Sequence, residues 1–366
     1  MRRALLWALP LGMVQPDDGS AQQQATDLDL DPYRDLAPLV TSRRPPAAAH
    51  RLAIVHLLLD RKAPVDGNAA VGNPARVATI RAPILAVVTI LPLVLVSAPA
   101  TAGAQVCGAA ASREDPALGR FFEDYNANGT FVLFEPGSGT CVLHDPARAR
   151  LRFLPASTFK IFNTMVALDA GSIADATTVL KWDGVDRGSA GWNRDQDMRT
   201  ALRSSTVWFY QELARRTGEM RMREFLERET YGNAAVTGGI DSFWLTGGLA
   251  ISADEQVAFL HRLYRGQLAF SMRAQHIARE LLVLEQTDTY TLRGKTGWTQ
   301  SGGRQLGWLV GWVEKDAVVH FFALNLDSPD PDFPMRDARM TILRRALDHL
   351  GVLPAAARDA AGVAMK

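Results

Sequence analysis

The chain of 366 residues is 47% hydrophobic and 22% charged, so it holds enough apolar side chains to bury a sizeable core. Its formal net charge is only +1 at pH 7, which excludes a strongly basic surface of the kind that binds nucleic acid. We therefore expect a small molecule as the partner. Only six of the 40 basic residues are lysines, so a lysine within a motif is conspicuous.

A signal-like segment lies well inside the chain. An arginine precedes an apolar run, and small residues at 102–104 fit an Ala-x-Ala cleavage pattern. We predict a signal peptide over residues 77–104, a mature start near Gln105, export to the periplasm and no stable membrane association after cleavage. The alternative is a membrane anchor, but Pro92 and Pro99 shorten the run below the roughly 20 residues of a spanning helix.

Residues 1–76 are rich in Pro, Ala, Arg and Asp and show no sustained periodicity. Such a composition is typical of disordered chain, and Val77 stands where an alternative start would make the signal N-terminal. We therefore predict that residues 1–76 are disordered or a non-native extension. The remainder, 105–366, has no repeat or low-complexity break and is predicted to form a single domain.

The two cysteines of the chain, Cys107 and Cys141, both follow the predicted cleavage point. In an exported chain two cysteines favour a disulfide over a metal or redox site. Two unpaired thiols are the alternative, because spacing alone does not fix whether the residues lie close together. The seven histidines show no His-Glu-x-x-His or paired spacing, so no metal site is predicted.

Strand patterns at both ends of the domain enclose a long helical middle. Helical residues at 117–126 precede two alternating runs, 129–135 and 139–145, that indicate a hairpin. Helix-period segments dominate 155–285, and the strands and final helix that follow are predicted at 290–298, 304–314, 317–327 and 336–351. This order predicts an α+β fold: one antiparallel sheet flanked by the N- and C-terminal helices, with an all-α lobe inserted and a cleft between the lobes.

Ser157 and Lys160 stand at the start of the helical middle, in the run PASTFK. At this i, i+3 spacing both side chains share one helix face and can hydrogen-bond. Pro155 suits a first helical turn, which places Ser157 near the positive end of the helix dipole. The pattern alone is weak, and a surface serine and lysine are the alternative. An apolar setting makes a solvated lysine less favourable here, given the neighbours Phe159, Ile161, Phe162, Met165 and Val166.

Two later segments can supply the rest of a serine acyl-transfer site. Lys295, Thr296 and Gly297 follow a strand-like run, so a cation, a hydroxyl and a close backbone approach would line a strand edge. Ser205, with Val207, opens a helical segment. Taken singly, the first segment is better explained by a plain turn after a strand, and a helix N-cap explains the second at least as well.

The order of the three motifs resembles that of the penicillin-recognising serine enzymes. Within that group the chain resembles the class D β-lactamases, or oxacillinases, from about residue 115 to residue 352. The shared motifs are PASTFK (155–160), STV (205–207), YGN (231–233), FWL (243–245), KTG (295–297) and GWLVGWVEK (307–315). The resemblance implies a catalytic domain over 105–366 that hydrolyses the amide bond of penicillin-type β-lactams through an acyl-enzyme on Ser157, and so confers β-lactam resistance.

The family's general base is a carboxylated lysine, which the resemblance assigns to Lys160 as N6-carboxylysine. The sequence has no Glu-x-x-Leu-Asn run to hold a water-activating glutamate, which agrees with such a base. No cofactor is expected beyond carbon dioxide or bicarbonate as the source of the carbamate. Burial lowers the pKa of an amine, and Phe159, Val207 and Leu245 would form the apolar wall. The buried anion needs a donor, and Trp244 has one.

The remaining roles follow from the same resemblance. The oxyanion would lie between the backbone N–H groups of Ser157 and Trp298. Ser205 would pass the proton to the lactam nitrogen, helped by Lys295. Tyr231 and Asn233 are expected to shape the loop under the site.

A substrate carboxylate calls for a cation. The resemblance places the substrate arginine at Arg336, with Lys295, Thr296 and Gly297 beside it. Arg339, one helical turn further on, is the alternative substrate arginine. It is also possible to explain Arg336 as a surface arginine of the last helix with no role in binding.

Two other functions share this chemistry. A β-lactam sensor would stay acylated, but such receptors carry several membrane spans and a zinc protease, whereas this chain has one signal-like segment and no His-Glu-x-x-His. A D,D-peptidase or transpeptidase would keep an asparagine in the second motif, where Val207 stands. We expect a β-lactam hydrolase that is a monomer or a homodimer.

Overall fold

The computed structural model describes residues 106–108 and 112–353, which lie in one unit of the chain. The predictions for residues 1–76 and for the signal peptide at 77–104 fall outside the described residues. Across these two ranges, no helix combines the length and the apolar character needed to cross a membrane.

A seven-stranded sheet organises the domain. In chain order its strands are β1 (Ser112–Glu114), β2 (Asn128–Glu135), β3 (Thr140–His144), β4 (Val283–Gln286), β5 (Tyr290–Ser301), β6 (Arg304–Lys315) and β7 (Val318–Ser328). Across the sheet they lie in the order β1-β3-β2-β7-β6-β5-β4. Every neighbouring pair is antiparallel except β1 and β3, which are parallel.

The helices are α1 (Gly119–Glu123), α2 (Pro146–Ala149), α3 (Lys160–Asp169), α4 (Met198–Arg203), α5 (Val207–Thr217), α6 (Glu219–Arg228), α7 (Ala253–Tyr264), α8 (Met272–Leu281) and α9 (Met335–His349). Short 3-10 turns lie at Pro116–Leu118 and Ala156–Phe159. Helices α3 to α8 come between β3 and β4, so the helical lobe is an insertion into the sheet. The predicted fold class is confirmed.

Both faces of the central strands are covered. Along β6, Trp308 and Trp312 belong to the core shared with the helical lobe, whereas Leu309 and Val313 belong to a second core under α1 and α9. Side chains of successive strand residues point to opposite faces. A strand buried on both faces therefore reads in sequence as an almost continuous apolar run.

The sheet differs from the prediction at its two edges. The hairpin and the three C-terminal strands are confirmed, but β1 and β4 were not expected. β1 has only three residues, too few to show alternation. β4 follows α8 with no Gly or Pro between them, so the sequence predicts that the helix continues.

Candidate active site

The nucleophile turn, defined as the 3-10 turn Ala156–Phe159, runs directly into α3. Ser157 and Lys160 are both fully buried, and Lys160 Nζ donates a hydrogen bond of 2.6 Å to Ser157 Oγ. The predicted pairing of the two side chains on one face is therefore present. A nitrogen base this close can take the hydroxyl proton as the oxygen attacks a carbonyl.

Contacts from three segments fix the nucleophile turn. The Ala156 N–H donates to the Trp244 carbonyl (3.0 Å), and Thr158 Oγ1 donates to the Pro155 carbonyl (2.7 Å). Gln256 Nε2, from α7, donates to Thr158 Oγ1 (2.9 Å). The sequence did not indicate Gln256, because its burial and its contact with Thr158 depend on how α7 packs against the nucleophile turn.

Lys160 lies in apolar surroundings. Burial, and next the positive charge of Lys295, lower the pKa of Lys160 well below its ordinary value of 10.5. The Phe159 ring packs 5.3 Å from the Trp244 ring, Val207 is buried and the half-buried Leu245 packs against the same core. These are the residues predicted to form the wall. Burial therefore favours the neutral, nucleophilic form of the amine.

Trp244 carries a buried donor. Its ring is fully buried, and its Nε1 has no hydrogen-bond partner among the described residues. A buried indole N–H is ordinarily paired, because leaving it unpaired costs about 1–3 kcal/mol.

Lys295 joins the late strand β5 to the helical lobe. Its Nζ donates to Ser205 Oγ (2.9 Å) and to the Thr296 carbonyl (3.0 Å). Burial, and next the charge of Arg339, lower the pKa of Lys295 to about 7. Ser205 precedes α5 with a φ of 53°, a conformation that side chains other than glycine seldom adopt. The second motif is therefore brought to the third by tertiary structure.

Gly297 lies against the nucleophile turn. A Cβ atom at this position would come within 2.9 Å of the Pro155 carbonyl oxygen and 3.2 Å of Thr158 Cγ2. Only glycine lets the strand approach the turn this closely. The predicted close backbone approach at this position is thus a property of the structure.

The N–H group of Trp298 points toward the sheet edge opposite β6. Four residues earlier, the Gly294 N–H donates to the Leu282 carbonyl on the β4 side of β5, and alternate residues of a strand direct their backbone groups to the same side. The pairing of β4 with β5 ends at Arg293. Trp298 therefore directs its N–H to the edge where β5 runs past β4.

Two arginines of α9 lie in different settings. Arg336 is exposed in the first turn, next to Met335, whose side chain covers Gly307 of β6. Arg339 is buried, and its Nη1 donates to the Gly297 carbonyl (2.8 Å). The structure therefore brings the alternative arginine, Arg339, to β5 beside Lys295, whereas Arg336, the predicted substrate arginine, is an exposed residue of the first turn.

The loop under the site is organised as predicted. Asn233 Nδ2 donates to the Gly248 carbonyl (2.8 Å), and its Oδ1 accepts the Ala250 N–H (2.9 Å). The Tyr231 ring packs 4.7 Å from Phe162. These contacts hold the segment that carries Trp244.

A disulfide joins Cys107 to Cys141 on β3. It ties the start of the described chain to the sheet. Among residues 106–108 and 112–353, no cluster of three or more His, Cys, Asp or Glu side chains could hold a metal ion.

Comparison with known proteins places this fold and site in a class. Residues 129–348 match the penicillin-binding protein transpeptidase domain, which defines a broad class of penicillin-recognising enzymes. β-Lactamase OXA-15 of Pseudomonas aeruginosa is 42% identical over 246 residues, 66% of this chain and 88% of that protein. β-Lactamase OXA-48 of Klebsiella pneumoniae is 43% identical over 220 residues, 60% of this chain and 83% of that protein.

Solved structures agree with the sequence relatives. The class D β-lactamase YbXI from Nostoc is 42% identical, with a TM-score of 0.62, over 64% of this chain and 99% of that one. FUS-1 (OXA-85) from Fusobacterium nucleatum is 35% identical, with a TM-score of 0.63, over 66% of this chain and all of that one. The chain belongs to the class D β-lactamases, a family of serine hydrolases.

Proposed function

We propose that the protein hydrolyses the amide bond of penicillin-type β-lactams through an acyl-enzyme on Ser157. The observation that carries the proposal is the buried contact of 2.6 Å between Lys160 Nζ and Ser157 Oγ. It lies beside a second serine and lysine, Ser205 and Lys295, which are themselves hydrogen-bonded. One pair suits activation of the nucleophile, and the other suits protonation of the leaving nitrogen.

We propose that Lys160 carries a carboxyl group taken from carbon dioxide. Two features of the site support this modification: burial favours the free amine needed for carbamate formation, and the buried Trp244 Nε1 is a donor in want of an acceptor. When present, the carboxyl group supplies the general base for acylation and deacylation. Trp244 would hold it by donating a charge-assisted hydrogen bond.

In acylation, the proton of Ser157 leaves to the base at Lys160 as Oγ bonds to the lactam carbonyl carbon. The oxygen takes the electron pair and is stabilised by the backbone N–H groups of Ser157 and Trp298, each worth about 3–4 kcal/mol in such sites. As the carbonyl re-forms, the C–N bond breaks. Ser205 delivers a proton to the nitrogen and regains one from the base at Lys160, which is thereby freed of the proton it took from Ser157; Lys295 supports the Ser205 hydroxyl at 2.9 Å. Water, deprotonated at Lys160, then attacks the ester carbonyl; the bond from that carbon to Ser157 Oγ breaks, and the proton held at Lys160 returns to Oγ.

Recognition of penicillins is assigned to the strand edge and the last helix. Arg336 is an exposed cation one turn from the buried Arg339, and Lys295 and Thr296 lie along β5. An Arg336→Met variant should raise KM for benzylpenicillin more than it lowers kcat, because it removes a charge contact made in both ground and transition states. A penicillin whose carboxylate is esterified should show the same rise in KM with the unchanged protein.

We further propose that the protein is exported to the periplasm, acts there as a monomer or homodimer and confers β-lactam resistance. The predicted signal peptide supports export. Expression in a susceptible bacterium should raise the penicillin concentration that stops growth, and Ser157→Ala should abolish the protection.

Steady-state turnover with a panel of penicillins tests the proposed hydrolase. We expect many equivalents of ring opening per protein molecule, none from Ser157→Ala, and undiminished turnover from Ser138→Ala, which changes an exposed serine of the β2–β3 turn. Ring opening of one equivalent of penicillin with no further turnover identifies a sensor instead. Cleavage of a D-Ala-D-Ala peptide without penicillin turnover identifies a peptidase.

A further inference from the structure

The chain that leads into the nucleophile turn is held along the start of α7. Arg152 Nε donates to Glu255 Oε1 (3.0 Å), and Phe153 and Ile251 exchange two backbone hydrogen bonds of 2.9 Å. The N-terminus of α7 is itself closed by a capping box between Ser252 and Glu255. A side chain on the first turn of α7 therefore has a fixed place relative to the nucleophile turn.

Gln256 reaches from this first turn of α7 to the nucleophile turn. Its side chain is fully buried, and its Nε2 donates to Thr158 Oγ1 (2.9 Å). Thr158 Oγ1 donates in turn to the Pro155 carbonyl (2.7 Å). Because a hydroxyl has a single proton, the hydrogen bond received from Gln256 directs that proton to Pro155. The two bonds form one chain in which each strengthens the other.

The turn that this chain closes contains a strained residue. Ala156 has a φ of 48°, a left-handed conformation that residues with a Cβ seldom adopt. Such a conformation persists only where the surrounding structure holds it. The Ala156 N–H donates to the Trp244 carbonyl (3.0 Å), and the N–H and Oγ1 of Thr158 both donate to Pro155. The backbone at Ala156 determines where the N–H and the Oγ of Ser157 point.

We propose that Gln256 is a positioning residue of the active site. It orients the Thr158 hydroxyl, keeps the nucleophile turn closed around Ala156 and so directs Ser157 at the substrate carbonyl. Its effect on the rate rests on the proposed function. Its effect on the opening of the turn does not, because that concerns hydrogen bonds within the fold.

A purely structural role for Gln256 would give a different balance of stability and rate. Its Oε1 is buried and has no hydrogen-bond partner among the described residues, so the amide contributes little net stability. A methionine of similar length removes this unpaired acceptor and leaves the Thr158 hydroxyl bonded to Pro155. Gln256→Met should therefore change the thermal midpoint little while it lowers the rate.

The test uses the whole protein with Gln256→Met, Thr158→Val, Thr158→Ser and the double variant Gln256→Met/Thr158→Val. Gln275→Met is the matched control, because Gln275 is another fully buried glutamine, whose amide donates to the Leu268 and Phe270 carbonyls instead. Stopped-flow gives the acylation rate constant and the dissociation constant for benzylpenicillin. The thermal midpoint and the amide hydrogen exchange of residues 156–159, followed by NMR, complete the measurements.

For Gln256→Met we expect the acylation rate constant to fall roughly tenfold or more, since misplacing a reacting group by about 1 Å can cost a hundredfold. The dissociation constant should stay the same, because the binding groups of the cleft are unchanged. Thr158→Val should lose at least as much, Thr158→Ser should lose little, and the double variant should lose little more than Thr158→Val. The Thr158 N–H should exchange faster wherever the link is broken. Gln275→Met should lower the thermal midpoint and keep the acylation rate.

Gln256→Glu adds a test that does not depend on Gln256→Met folding. A protonated carboxyl group can donate to Thr158, whereas a carboxylate only accepts. The acylation rate of Gln256→Glu, divided by that of the unchanged protein, should therefore fall as the pH rises. A ratio that stays at one across pH would contradict the proposed positioning.

Gln256 is only structural if Gln256→Met keeps both the acylation rate and the Thr158 exchange rate of the unchanged protein. Losses that multiply in the double variant would likewise contradict a role that acts through Thr158. If the unchanged protein turns over no β-lactam, the proposed function fails, while hydrogen exchange in the nucleophile turn still tests Gln256.

Discussion

Lys295 Nζ and Ser205 Oγ lie 2.9 Å apart although 90 positions separate the two residues. Ser205→Ala and Lys295→Met should each lower kcat/KM for penicillins by about 100-fold or more, the usual scale for a lost proton-transfer group. The double variant should lose little more than either single variant, because the two side chains act as one proton path.

Stopped-flow acylation measures these losses. Lys181→Met is the matched control, since Lys181 pairs with Asp195 on an exposed loop. Losses that simply multiply in the double variant would mean that Ser205 and Lys295 act independently.

Trp244→Phe removes the indole donor and keeps most of the ring. Without this hydrogen bond the carbamate on Lys160 should be less stable. The bicarbonate concentration for half-maximal activity should therefore rise roughly tenfold or more, which corresponds to the loss of a hydrogen bond to a charged group. Activity titrated against bicarbonate at fixed pH gives this number.

The control for Trp244 is Trp182→Phe, whose indole donates to Val185 within a surface loop. It should keep the bicarbonate requirement of the unchanged protein. Full activity of Trp244→Phe in bicarbonate-depleted buffer would count against a carbamate held by Trp244.

Lys160→Met should abolish turnover and stabilise the fold in bicarbonate-free buffer. Since the folded pKa of Lys160 lies well below the unfolded value of 10.5, the unfolded chain binds more protons between these pH values. The free energy of unfolding of the unchanged protein therefore rises with pH in that window. The gain from Lys160→Met should be largest at low pH and shrink as the pH rises toward 10.5.

Denaturant unfolding across pH measures the gain, with Lys181→Met as a control that should show no pH-dependent gain. A gain for Lys160→Met that is independent of pH would contradict the buried, deprotonated lysine.

Gly297→Ala adds a methyl group that comes within 2.9 Å of the Pro155 carbonyl. The strand must shift away from the nucleophile turn, so kcat/KM should fall about tenfold or more, on the scale of small misplacements at an active site. Gly108→Ala, where nothing lies within 4 Å of the new Cβ, should keep its activity. Equal kinetics for both alanine variants would show that the close approach is not needed.

The disulfide should contribute stability and leave the chemistry untouched. It closes a sequence separation of 34 residues, for which chain entropy gives about 3–4 kcal/mol of unfolding free energy. Cys107→Ala/Cys141→Ala should lose free energy on that scale in urea unfolding, with kcat/KM unchanged below the transition. A reducing agent should reproduce the loss in the unchanged protein and add nothing to the double variant.

The sequence by itself determined the local part of the site and most of the sheet. Ser157 and Lys160 are three positions apart in a helical turn, so their contact follows from backbone geometry. The strands β5 to β7 are long and apolar, so their sequences predict buried strands whatever their neighbours in the sheet. The edge strands β1 and β4 carry no such pattern, because one is short and the other follows a helix without a breaking residue.

The tertiary structure decided everything that depends on distant segments meeting. Spacing says nothing of whether Lys295 reaches Ser205, whether Gln256 supports the nucleophile turn or whether the Trp244 indole is left with an unmatched donor. The two arginines of α9 make the same point: Arg336 and Arg339 share one helix, and only the packing of α9 on the sheet buries the second against Gly297. Burial and charge are properties of the assembled core, so the pKa of Lys160 and Lys295 is set there.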